Sequence, residues 1–212
     1  MSEEKKYSIF DFSKLSLNAT QGKAQLKFNI YRNNPRIVIF TNDEKDRQQN
    51  NAPMSANMDP YSFMSFLQML QSLVSAPAET KYKIENLTLK GEGKDRSIVR
   101  ASDLMLGKDA NGVIWISVLM DGRPKFKFEI GDYKYHKFMH GDGKEMSKAE
   151  VSQMTAKGMV TLLSNIFSTY LTTNYEHVPA TAFKGNNRSG GYSGGQRSRA
   201  PADDDMSEDL PF

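Results

Sequence analysis

Three stretches of this chain interleave basic and aromatic side chains. The first is Lys27-Phe28-Asn29-Ile30-Tyr31-Arg32, with Arg36 across a turn. Lys125-Phe126-Lys127-Phe128, just after Arg123, is the second, and Tyr133-Lys134-Tyr135-His136-Lys137-Phe138 the third. Successive side chains of an extended strand point to opposite faces. Lys125 and Lys127 therefore share one face, and Phe126 and Phe128 the other. Such a mixture suits unpaired nucleic acid: ammonium and guanidinium groups follow phosphates, and exposed rings stack on bases at about 1–3 kcal/mol each. A core of Phe under a solvated Lys face would show the same alternation. Tyr31, Tyr133 and Tyr135 are the better stacking candidates, because they fall at strand ends among cations. The candidate binding residues are Lys27, Tyr31, Arg32, Arg36, Arg123, Lys125, Lys127, Tyr133 and Lys134. Trp115, within Val113-Ile114-Trp115-Ile116-Ser117-Val118, fits a core position or a stacking platform, with the core favoured.

Catalytic patterns are missing. There is no Gly-x-x-x-x-Gly-Lys-Ser/Thr phosphate loop, no Gly-x-Gly-x-x-Gly after a strand and no Gly-x-Ser-x-Gly elbow. Cysteine is absent, which removes disulfides, thiolate catalysis and cysteine-based zinc sites. Of three histidines, His136 and His140 are four apart, but turn residues follow and no third ligand is close in sequence. The expectation is a non-enzymatic chain with no cofactor and no metal.

The elements that must carry these residues are mostly strands. Tyr7 to Asn18 alternates partly and Ala24 to Tyr31 cleanly, with Leu26, Phe28 and Ile30 on one face. Asn33-Asn34-Pro35 reads as a turn, Arg36 to Thr41 as the returning strand, Asn42 to Asn51 as a polar loop and Pro53 to Met58 as a short edge strand. Asp59 and Pro60 then open a helix, with Phe63, Phe66, Leu67, Leu70, Leu73 and Val74 as its apolar stripe and Pro77 as its end. Tyr82 to Lys90, Ser97 to Gly107, Val113 to Met120 and Lys125 to Ile130 read as four strands joined by short turns, an antiparallel meander. Ser147 and Glu150 form a capping box for a long helix to about Tyr170. Its expected buried stripe is Val151, Met154, Met159, Leu162, Leu163, Ile166 and Phe167. The expected fold class is α+β, in the order strands-helix, strands-helix. The pseudo-repeat spans 1–78 and 79–183.

Charge is distributed unevenly. Lys and Arg number 28 and Asp and Glu 25, a net +3. Five of the acidic residues lie in 203–212, which contains no basic one, so residues 1–202 carry a net +8. Residues 184–202 are basic and Gly-rich and read as a flexible linker. Residues 203–212, Asp-Asp-Asp-Met-Ser-Glu-Asp-Leu-Pro-Phe, form an acidic tip whose last residue, Phe212, would carry a free carboxylate beside its ring. A partner with an apolar pocket and a basic rim suits such a tip.

A basic Gly-rich linker followed by an acidic run ending in Asp209-Leu210-Pro211-Phe212 resembles the C-terminal region of bacterial single-stranded DNA-binding proteins. The resemblance covers about 30 of 212 residues. Met206-Ser207-Glu208 interrupts the acidic run, and residues 1–110 do not follow the bacterial family's N-terminal pattern. The order of the body elements is similar to the Whirly-like architecture, two four-stranded antiparallel sheets each followed by a helix. The competing architecture is a decorated oligonucleotide-binding barrel with a C-terminal helix.

The resemblance implies a phage-encoded protein that binds single-stranded DNA without strong sequence preference and protects it during replication, recombination and repair. It further implies that Asp203, Asp204, Asp205, Asp209, Leu210, Pro211 and Phe212 recruit replication and repair proteins. An RNA-binding or strand-annealing protein, or an adaptor without nucleic-acid binding, are the alternatives. No run of 18 apolar residues and no secretory signal is present, so a cytoplasmic protein without membrane contact, assembling as a homo-oligomer, is expected.

Overall fold

The computed structural model describes residues 15–31, 33–50, 52–91 and 95–173. The chain divides into two units, Met1–His177 and Val178–Phe212, and every described residue belongs to the first. The linker and the acidic tip, with all seven candidate partner-binding residues, lie outside the described residues, as does Arg32.

The first sheet contains β1 (Ser16–Asn18), β2 (Gln25–Tyr31), β3 (Asn34–Phe40) and β4 (Met54–Asn57), antiparallel in that order. Two helices go with it, α1 (Glu44–Gln49) before β4 and α2 (Pro60–Ser75) after it. The second sheet repeats the meander with β5 (Lys81–Lys90), β6 (Ser97–Lys108), β7 (Ile114–Leu119) and β8 (Phe128–Glu129), and α3 (Lys148–Thr173) follows. The molecule is thus α+β with two separate four-stranded antiparallel sheets. Among the described residues, no helix is long and apolar enough to cross a membrane.

One core joins these layers. Leu26, Phe28, Ile37, Ile39 and Met54 face inward from the first sheet, and Leu104, Leu106, Ile114, Ile116 and Phe128 from the second. Phe63, Phe66, Leu67, Leu70 and Leu73 of α2 fill the space between, and the Phe63 ring meets Phe167 of α3 edge-on at 5.1 Å. Both helix starts form as their sequences dictate. Asp59 accepts the Ser62 N–H at 2.8 Å, with Pro60 in the first turn, where no intrahelical donor is needed. Glu150 accepts the Ser147 N–H at 2.8 Å, and Ser147 Oγ accepts the Glu150 N–H at 3.3 Å.

Three local expectations are corrected. The polar loop 42–51 contains α1, capped by Asp43, whose carboxylate accepts the Asp46 N–H at 3.0 Å. The strand expected over Lys125 to Ile130 shrinks to Phe128–Glu129. Upstream, the Phe126 carbonyl accepts a hydrogen bond from Ser117 Oγ at 2.6 Å, and the Lys127 carbonyl accepts the Thr20 N–H at 2.9 Å. Those acceptors are turned to partners outside the ladder.

The third correction concerns α3. Met154 and Leu162 of the expected stripe are exposed, while Ser152, Ala156, Val160 and Tyr170 are buried. Val151, Met159, Leu163 and Phe167 of the expected stripe are buried, and Ser152 makes a close approach to the sheet. Ser152 Oγ accepts the Ile114 N–H at 2.9 Å. Gly131 lies beneath, where an added Cβ would fall 2.9 Å from Ser152 Cα, and its φ of +88° belongs to the left-handed region. Gly131→Ala is therefore expected to destabilise the fold by at least about 1–3 kcal/mol through backbone strain alone. A lowered urea midpoint at unchanged slope would register it.

Candidate nucleic-acid interface

Alternation along the first sheet places its apolar residues in the core and a different set outside. β2 turns Gln25, Lys27, Asn29 and Tyr31 outward, and β3 turns Asn34, Arg36, Val38 and Phe40 the same way. Ser16 and Asn18 of β1 and Ser55 and Asn57 of β4 complete the face by register, opposite Lys27, Gln25, Val38 and Arg36. None of these residues carries a carboxylate. Only Val38 is buried on this face. Amides, hydroxyls, two cations and two rings make up the rest.

The cations and rings are paired. Arg36 Cζ lies 4.9 Å from the centroid of the Tyr31 ring, and Lys27 Nζ lies 5.4 Å from that of Phe40. Tyr31 is 52% exposed and Phe40 42%. Neither Lys27 nor Arg36 has an ion pair among the described residues. Arg36 Nε also lacks a hydrogen-bond partner there. Each ring thus keeps an exposed edge or face beside a positive charge that no carboxylate among the described residues neutralises.

The other candidates lie elsewhere. Arg123 leaves the interface: its guanidinium donates to Asp46 at 2.6 and 2.8 Å and to the Ala52 carbonyl at 3.2 Å, with its side chain only 8% exposed. It ties the loop after β7 to α1. Lys127 is engaged too, donating to Asp109 at 2.9 Å and Glu129 at 3.0 Å. Partial burial works against its charge, but these hydrogen bonds outweigh it and raise the ammonium above the usual lysine range. Lys125 is exposed.

Tyr133 and Lys134 line a hollow between β1, the Gly131–His136 segment and α3. The Tyr133 hydroxyl lies 3.2 Å from Thr155 Oγ1, and its ring stands 5.2 Å from Phe138. Ser16 and Asn18 border this hollow as well, so it adjoins the β1 edge of the outer face. Tyr135 is 91% exposed. His136 sits against Tyr133, and His140 lies 3.4 Å from Glu150.

Two aromatic residues were not assigned to the surface by sequence. In Arg36-Ile37-Val38-Ile39-Phe40 the inward Ile37 and Ile39 put Phe40 outside with Arg36, a signal present in the alternation. Trp115 likewise shares the outer face of the second sheet with Ser117, opposite the inward Ile114 and Ile116. The favoured core placement of Trp115 is corrected accordingly.

Comparison of the chain with protein-family models, curated proteins and solved structures finds no match in any of the three.

Proposed function

We propose that this chain binds single-stranded DNA without strong sequence preference, through the outer face of the first sheet. The observation that carries the proposal is the carboxylate-free face on which Arg36 is paired with Tyr31 and Lys27 with Phe40. Phosphates gain from cations that have no ion pair among the described residues, and bases gain from the exposed rings. The flanking amides can bond to sugars and base edges without selecting one base. The body would coat and protect the strand during replication, recombination and repair, in the cytoplasm and as a homo-oligomer.

Two open meanders, each followed by a long helix, support the Whirly-like architecture over a barrel, which would require strands of the two sheets to pair. The C-terminal sequence supports a second role. Asp203 to Asp209 would meet basic rims on replication and repair proteins, and Leu210, Pro211 and Phe212 would enter an apolar pocket. Phage origin rests on the same resemblance.

Deleting residues 203–212 separates the two roles. The truncated chain is expected to bind fluorescein-labelled oligo-dT as tightly as the full chain or more so, while losing recruitment of repair helicases or polymerases. Loss of oligo-dT binding on deletion would contradict the division of labour. Competition with oligo-rU in the same assay ranks DNA against RNA.

A further inference from the structure

The outer face of the second sheet carries a groove of about 460 Å³ over Trp115. We propose that this groove holds an unpaired nucleobase stacked on the indole, from the same strand that crosses the first sheet. The inference rests on the single-stranded DNA reading and extends it to a second, separate contact.

The floor of the groove is built for a flat ring. Trp115 pairs across the sheet with Gly107, and a Cβ at that glycine would lie 2.8 Å from Trp115 Cζ2. Only a residue without a side chain lets the indole lie against the strand. Met105, Leu119 and Phe126 supply apolar walls, and Ser117 a hydroxyl.

Charge around the groove selects a polyanion over a neutral apolar ligand. Lys108 lines the groove, but its Nζ donates to the Val74 and Ala76 carbonyls at 3.2 and 2.8 Å, which caps α2. Lys127 and Asp109 neutralise each other. Lys81 and Lys125 remain exposed at the rim, with no ion pair among the described residues. Glu79 is the remaining acidic lining residue. An indole flanked by two such ammonium groups matches a base and its neighbouring phosphates.

The groove is also joined to the first sheet. Arg123 lines the hollow that contains Phe40, and Lys125, Phe126 and Lys127, two to four residues on, line the Trp115 groove. The Phe126 ring comes within 3.9 Å of where a Cβ of Gly22 would lie, and Thr20 donates to the Lys127 carbonyl. Both meet the turn between β1 and β2. One segment therefore borders both aromatic positions, so a strand leaving Phe40 has a bordered route to Trp115.

Trp115 is the chain's only tryptophan, so its emission reports on this groove alone. The full chain should be titrated with unlabelled oligo-dT while emission is recorded, and with labelled oligo-dT for anisotropy. Quenching should track occupancy, and an oligomer of the same length with abasic residues should bind without comparable quenching. Trp115→Ala should weaken oligo-dT binding roughly 10-fold, and Trp115→Phe should restore most of it. If Trp115→Ala does not fold, Lys125→Glu at the exposed rim should weaken binding and diminish the quenching.

Saturable anisotropy with unchanged emission would overturn the proposal while leaving DNA binding by the first sheet intact. Equal quenching by the abasic oligomer would overturn it too, because the groove would then be sensing backbone rather than base. Absence of oligonucleotide binding in any assay would remove both this inference and the reading it rests on.

Discussion

Arg123→Ala is expected to destabilise the protein by about 3–5 kcal/mol, because it strands a buried partner charge. The side chains of Arg123 and Asp46 are 8% and 3% exposed, and two hydrogen bonds of 2.6 and 2.8 Å join them. Removing the guanidinium leaves a buried carboxylate with Thr41 Oγ1 and Asn50 Nδ2 as its side-chain donors among the described residues, at 2.7 and 3.2 Å. The Ala52 carbonyl loses its partner as well. Arg123→Ala combined with Asp46→Ala should recover part of the loss, because the stranded charge goes with it. Urea unfolding of the two single variants and the double variant measures the coupling.

The same pair sets a pH dependence. The hydrogen bond from Arg123 is the main cause that holds the Asp46 carboxyl below the ordinary aspartate value of 3.8, against the opposing effect of burial. The folded chain therefore keeps Asp46 ionised at acidities where the unfolded chain protonates it. Its contribution to stability is full above the ordinary aspartate value and is lost as pH falls through the lower folded value. Asp46→Asn should be less stable at neutral pH and should lose less on acidification. A steeper acid loss in Asp46→Asn than in the unaltered chain would contradict this assignment.

Reversing both outward cations of the first sheet, Lys27→Glu with Arg36→Glu, is expected to lower oligo-dT affinity by about 100-fold or more at low salt. On the proposed reading each substitution would remove a phosphate contact and add a repulsive charge on a face that has no carboxylate among the described residues. The milder Lys27→Ala and Arg36→Ala should each reduce the salt slope by about 0.7 if each side chain meets one phosphate. Tyr31→Ala should cost roughly 10-fold through lost stacking. The side chains point outward, so the urea midpoint should barely move. Unchanged affinity in the double reversal, with folding intact, would remove the first sheet from the binding surface.

Most of the local architecture could be read from residue patterns because it rests on local rules. Asp59-Pro60 and Ser147 with Glu150 start helices by satisfying their own first-turn donors. The alternation in β2 and β3 sets which side chains face outward, and so places Lys27, Tyr31 and Arg36 together. What could not be read depends on distant partners. Glu44-Lys45-Asp46-Arg47-Gln48-Gln49 has no apolar period, so α1 looks like a loop. Its Asp46 is held by Arg123, 77 residues away. Arg123 itself reads as one more surface cation until that partner is known. The inward face of α3 includes Ser152 and Ala156 beside Val151, Met159, Leu163 and Phe167, and Gly131 lies against Ser152. Small residues give hydropathy no signal, although they are what allow the contact.

The most direct measurement is titration of labelled oligo-dT with the full chain at two salt concentrations. Saturable binding at low salt that weakens markedly as salt rises is the expected result, since counterions displaced from the phosphates are released on binding. No change in anisotropy at low salt would contradict single-stranded DNA binding and leave, at most, the proposed partner contact of residues 203–212.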